Sequence, residues 1–444
     1  MKQRRSIRLV AGVMALGLVV AACGGDDDDT PADSGDTPTA EETADSGDMT
    51  EDSGDMTEDS GDMSEDSGDM SEDSGDMSED SGDMSEDSGD MSEDSGDMSE
   101  DAAGVDLSGV CPSPIVIQTD WFPEAEHGSL YEMVGEGYEI NAELMTVTGP
   151  LMASGVDTGV EIEVRTGGPA IGFNSPRVNA YTDDSIHLAY SSFDAQAAAW
   201  ADLPMVTVLA PLEINPQIIM WDADEWPDVD TIADVGEAGM TINVFGGGGF
   251  APYFVAAGIW DESQVDPSYD GSPARFIAEG NIAQQGFASA EPYNYENVFE
   301  EYGKAPKYQL LHDAGYQSYS QTLAVKPADV EALAPCLELF VPIVQQAVVD
   351  FANAPERANA IIIDAVATFD SFWVYDEGVA AYAVETMTEL GLHGNGPDDI
   401  VGNIDEARVQ KVIDDARLAG VDVPDDLVAA DMFTNEFVDE SIGF

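Results

Sequence analysis

The sequence predicts an α/β protein of two lobes, carried on an acidic leader and ending in a helical tail. Three observations predict it. Eight strand-like runs, several with helical patterns between them, occur up to residue 326, and interleaving of that kind is the mark of α/β architecture. After residue 326 the patterns are all helical. The stretch able to fold, about 335 residues, exceeds one comfortable hydrophobic core.

The chain opens with Lys2, Arg4, Arg5 and Arg8, followed by the apolar run Leu9–Ala22 and by Val20-Ala21-Ala22-Cys23. The run is short for a bilayer span, and small residues ahead of a cysteine suit cleavage before it. Residues 1–22 therefore read as a lipoprotein signal peptide that leaves lipid on Cys23, with an ordinary secretory signal as the alternative. The expected location is the outer face of the cell membrane, with the lipid as anchor.

Residues 23–108 read as a linker. Within it, residues 45–100 are eight tandem copies of DSGDM[ST]E. A period of seven suggests a coiled coil, but one Met and one Gly per repeat supply no apolar seam. Such a segment is a self-repelling, disordered tether, and about 80 residues of flexible coil span on the order of 50 Å. Nothing in the repeat fixes a coordination shell for a cation.

The formal charge is −76, and residues 24–106 contribute 34 acids without a base. The folded remainder is still near −46, with ten basic side chains. Nucleic acid and anionic lipid surfaces demand clustered Lys and Arg, so both are excluded as partners. A uniformly acidic surface fits solubility in a salty medium. Two further cysteines, Cys111 and Cys336, lie in a chain expected to be exported, where a pair reads as a disulfide; two buried thiols are the alternative.

In chain order the strand-like runs are Ile115–Gln118, Val160–Arg165, Ile186–Tyr190, Met205–Leu209, Gln217–Trp221, Thr241–Phe245, Tyr308–Leu311 and Thr322–Lys326. Helical patterns cover Asp194–Ala201, Gly249–Trp260 and Pro273–Glu279, then Pro327–Ala334, Leu337–Phe351, Pro355–Phe372, Glu377–Leu390 and Ile404–Ala419. The expected division is 109–205 for the first lobe, 206–326 for the second, and 327–444 returning to the first.

Three stretches can carry chemistry. Directly after the first strand comes Thr119-Asp120-Trp121-Phe122-Pro123-Glu124-Ala125-Glu126-His127-Gly128-Ser129-Leu130-Tyr131. Trp121 and Tyr131 can sandwich a planar ligand, Asp120 and Glu124 can accept from amino groups, and His127 can donate or accept near neutral pH. A staple with a solvated acidic loop is the plainer reading. Gly167-Gly168-Pro169 follows the second strand, and Gly246-Gly247-Gly248-Gly249-Phe250 follows the sixth, both at strand ends where open α/β sheets bind ligands. Neither is a dinucleotide or P-loop signature, so no cofactor is expected. A single His without a second ligand at helical spacing argues against a metal.

Gln118-Thr119-Asp120-Trp121-Phe122-Pro123, with Glu126-His127-Gly128 and Tyr131, resembles the opening of ABC-transporter substrate-binding proteins of the nitrate, sulfonate, taurine and thiamine-pyrimidine group. The resemblance continues through Gly167–Ala170, Ala288–Tyr293 and Tyr308–Gly315, and covers roughly 111–444. It implies a type II periplasmic-binding-protein fold with two crossovers, near Pro204–Pro211 and Ala324–Pro327, and a ligand buried between the lobes. It implies that Trp121 stacks on the ligand with His127 and Tyr131 beside it, and that Gly247, Gly248, Phe250, Glu291 and Tyr293 close over it. Gly167, Gly168, Ser191 and Asp313 complete the candidate set. Glu124 stands where pyrimidine-binding relatives often have Asn, which implies a ligand with amino or cationic character and speaks against nitrate or a sulfonate. The expected protein is a monomeric receptor for a small molecule, handing it to a membrane permease without making or breaking a bond. Two other classes compete: a surface protein whose acidic repeat is the functional part, and a pyrimidine-synthesis-type enzyme. The enzyme is associated with a Cys-rich motif and a cofactor lysine; the folded part has two distant cysteines, with Lys304, Lys307, Lys326 and Lys411 as its lysines.

Overall fold

A computed structural model describes residues 104–444. The signal peptide, Cys23 and the repeat lie outside the described residues. The fold is α/β with two sheets.

The first sheet has seven strands: β1 (Ile115–Gln118), β2 (Glu139–Asn141), β3 (Thr146–Ala153), β4 (Val156–Arg165), β5 (Leu188–Ser191), β6 (Val206–Leu209) and β12 (Thr322–Val325), in the order β2-β3-β4-β1-β5-β12-β6. The second has five: β7 (Gln217–Trp221), β8 (Ile242–Asn243), β9 (Val265–Asp266), β10 (Ala283–Phe287) and β11 (Lys307–Leu310), in the order β11-β7-β10-β8-β9. β1 lies parallel to both β4 and β5 and all four of its residues are buried, so that Ile115, Val116 and Ile117 read as a continuous apolar run ending in a buried Gln118. The chain leaves the first sheet after β6 and re-enters it at β12, which pairs antiparallel with β5 and β6. This is the two-lobed, two-crossover architecture of the type II periplasmic-binding-protein fold.

The crossovers sit slightly off the expected positions. Val206–Leu209, expected to open the second lobe, belongs to the first sheet, and the return runs ahead of Thr322 instead of near Ala324–Pro327. The pairing of β6 with β12 fixes both. The hairpin β3–β4 escapes prediction because Gly149 and Pro150 interrupt the apolar pattern. Pro150 sits where the register shifts, which is where a strand tolerates proline, and Ser154-Gly155 make the turn with φ of 44° and 83°, both left-handed. β10 escapes too, because its buried Gln284 and Gln285 read as polar.

In the tail, the two helices expected over 327–351 are one, Val330–Asn353, with Pro335 and Pro342 inside it. Ten buried residues, among them Leu337, Phe340, Val341, Val344 and Phe351, outweigh the local cost of the prolines. Cys336 on this helix is disulfide-bonded to Cys111, just ahead of β1, with a Cα–Cα distance of 4.8 Å across 225 residues of sequence. The link ties the start of the folded part to the tail. Helices Glu356–Phe369, Glu377–Glu389 and Glu406–Leu418 follow. The second lobe keeps a core of its own around Trp221, Ile242, Phe254 and Trp260.

Candidate functional site

The carboxyl ends of β1, β4, β5, β8 and β10 converge on a cavity of about 350 Å³ between the two sheets. Asp120, Trp121, Gly168 and Ser191 line it from the first lobe; Gly247, Gly248, Phe250 and Glu291 line it from the second. Eight of the fourteen candidate residues are thereby brought together. Glu124, His127 and Tyr131 are buried behind that surface, at 5%, 0% and 1% exposure. Gly167 packs on the Asp120 backbone. Tyr293 turns away to meet Tyr382 of the helix 377–389, 5.4 Å between centroids, and Asp313 is exposed to solvent.

The floor is a hydrogen-bonded group. His127 Nε2 donates to Asp120 Oδ1 at 3.0 Å and lies 3.6 Å from Glu124 Oε1. Gln321 Nε2 donates to the same two oxygens at 3.4 and 3.3 Å. Gln321 holds a left-handed φ of 51°, a conformation that costs a non-glycine residue free energy. Burial drives the Glu124 carboxyl well above the usual range, and the nearby Glu126, Asp120 and Glu291 add to this. Burial also raises Glu126, and the hydrogen bond that Ser289 of the second lobe donates to its carboxylate opposes the rise. Glu291 is pushed up to about 7 by burial, partly offset by the N–H of Phe287, which donates to it at 2.7 Å. The ligand-capable atoms of Asp120, Glu124 and His127 lie within 4.8 Å of one another, although the sequence offered no second ligand at helical spacing. The compact turn 120–127 creates that proximity. The imidazole and amide N–H groups of His127 and Gln321 hold these oxygens in place, and of the two carboxyl groups Asp120 is the one that lines the cavity.

Trp121 is the central ring. It contacts Phe173, Trp373 and, across the lobes, Phe245, at centroid distances of 6.2, 5.9 and 5.7 Å. Gly168 is required here for the tryptophan: its φ is 58°, and a Cβ would sit 2.6 Å from the indole. From the second lobe, Gly271 presses on the same indole, where a Cβ would sit 3.3 Å away. Asp194 makes a further interlobe contact, accepting from the N–H of Gly249 at 3.3 Å.

Sequence reasoning missed several lining residues: Phe173, Arg177, Asn215, Phe245, Tyr269, Gln285, Gln321 and Trp373. Arg177 had a usable signal, being one of ten basic residues in the folded part and following the helix-starting Ser175-Pro176. Trp373 had none, since it joins the site from the far end of the chain.

No protein-family model matches the chain, and neither does any curated protein. Solved structures similar to it include a protein from Bordetella bronchiseptica RB50, at 15% identity over 73% of this chain and 96% of that one, with a TM-score of 0.47. The alkanesulfonate-binding protein SsuA from Xanthomonas axonopodis pv. citri, bound to MOPS, is similar at 14% identity over 73% and 99%, with a TM-score of 0.44. The periplasmic nitrate-binding protein NrtA from Synechocystis is similar at 11% identity over 74% and 88%, with a TM-score of 0.46.

Proposed function

We propose that this chain is a lipid-anchored extracytoplasmic receptor that captures a small nitrogen-containing organic solute between its lobes and passes it to an ABC-type permease. The observation that carries the reading is the cavity of about 350 Å³ at the strand ends of both sheets, with carboxylates on its floor and an aromatic group at its centre. Asp120 and Glu291 offer acceptors to an amino or cationic nitrogen, and Trp121 offers a ring to pack against it. The first lobe runs from 109 to the end of β6 and resumes at β12; the second lies between. Residues 1–22 are removed, Cys23 carries the lipid, and the acidic linker gives the receptor reach between solute and permease. Binding proceeds by hinge closure, and one copy of the chain suffices.

The test is melting temperature and Trp fluorescence of the full chain against amines, amino acids, pyrimidines and sulfonates. At 100 times its Kd, a true solute stabilises by about 2.7 kcal/mol, which raises the melting temperature by roughly 5 °C. A folded chain that responds to nothing in the panel contradicts the proposal.

A further inference from the structure

Arg177 stands apart from every other basic side chain of the folded part. Arg165, Arg275, Lys304, Lys307, Lys326, Arg357, Arg408, Lys411 and Arg417 each have a carboxylate oxygen within ion-pair distance. Arg177 has none among the described residues, in a chain with 90 acids. It is nevertheless 7% exposed. Its Nη1 donates to Ser191 Oγ at a long 3.4 Å, and its buried Nε has no partner. It is also the one basic side chain that lines the cavity. A guanidinium taken out of water without an ion-pair partner is costly, Asp194 acting on it only from beyond ion-pair distance, and its planar fork fits a carboxylate or sulfonate in two-point contact. Asp194 on the same wall is already engaged, with the N–H of Gly249 and with Ser318 Oγ at 3.2 Å.

We infer that the captured solute is a zwitterion, its anionic group held by Arg177 and Ser191 and its cationic nitrogen facing Asp120 and Glu291 across the same cavity. The inference rests on the receptor reading proposed above and narrows its solute class. A cation alone leaves the buried guanidinium uncompensated. An anion alone sits beside Asp120 and Glu291 without a counter-charge for them. A molecule with both charges satisfies both walls, and the cavity selects for their separation.

The experiment is calorimetric titration of the full chain with matched sets of probes. Each set holds an ω-amino carboxylate or sulfonate, the amine lacking its acid and the acid lacking its amine. Spacers run from one to five methylenes, and nitrogens are primary or trimethylated. At least one zwitterion is expected to bind 100-fold or more tighter than either of its halves. Arg177→Gln is expected to lower that affinity at least 100-fold while leaving the melting temperature of the free chain unchanged or higher, because an unpaired buried charge has been removed. Arg177→Lys restores part of the affinity. An amine or an acid that binds as tightly as its zwitterion overturns the inference and leaves the receptor reading standing. So does an Arg177→Gln chain that keeps full affinity. Absence of binding by every probe, together with silence in the wider solute panel, overturns both.

Discussion

On the first-lobe wall of the cavity, Trp121 is seated against Gly168, its neighbours Asp120 and Glu124 are fixed by His127 and Gln321, and the strand that presents them begins four residues after a disulfide. On the second-lobe wall, the facing loop is Phe245 followed by four glycines, and its acceptor Glu291 is half-protonated near neutral pH. One wall is held by side-chain contacts and the other carries a glycine-rich loop. On the receptor function proposed above, the first lobe would supply a recognition surface whose ordering cost is already met in folding, and the second would supply closure and a charge that responds to its surroundings.

The largest expected departure tests the fixity of the first wall. Removing the Cys111–Cys336 bond by Cys336→Ser should lower stability by about 3–5 kcal/mol in a denaturant melt, since the bond closes a loop of 225 residues. Equal melts with and without reductant would show that this wall does not depend on the tie. Next, Trp121→Ala should weaken solute binding by about 2 kcal/mol, close to thirtyfold, with little change in the fold. Unchanged affinity would reduce the indole to packing.

A smaller effect separates the two walls by pH. Burial raises the folded-state pKa of Glu291 to about 7, so the folded chain binds that proton more tightly than the unfolded one. Its contribution to stability is present below about pH 4.5 and is lost as pH rises through 7. Affinity for a cationic nitrogen runs the other way, rising severalfold between pH 6 and 8 as the carboxylate forms. Glu291→Gln should flatten both profiles; a pH dependence of binding that survives it would move the responsive charge to the first wall. The smallest effect is none at all. Deleting residues 45–100 should leave solute affinity unaltered, because the described residues that line the cavity run from Asp120 to Trp373, whereas loss of affinity would make the repeat part of the site.

Strands were legible wherever burial imposed a continuous apolar run, as in residues 115–117 of β1 and 218–221 of β7, both strands lying where expected. β10 was not, because Gln284 and Gln285 are buried through partners distant in sequence: Gln284 donates to the Tyr295 hydroxyl at 2.9 Å, and Gln285 accepts from the N–H of Phe245 at 3.0 Å. The site divides in the same way. Trp121 and Asp120 sit at a strand end and carry a local motif. Gln321 and Trp373 reach the cavity through the crossover and the tail, and only the folded path of the chain brings them there. The Gly167-Gly168 pair was recognised for close approach, but what approaches it is protein: the Asp120 backbone and the Trp121 ring.

If the interlobe cavity is the solute site and its first-lobe wall carries the recognition, native mass spectrometry of the full chain taken from its own organism should find one small nitrogen-containing molecule bound one to one, released on unfolding and depleted at least tenfold in the Trp121→Ala chain. A bound molecule retained equally by Trp121→Ala would contradict it.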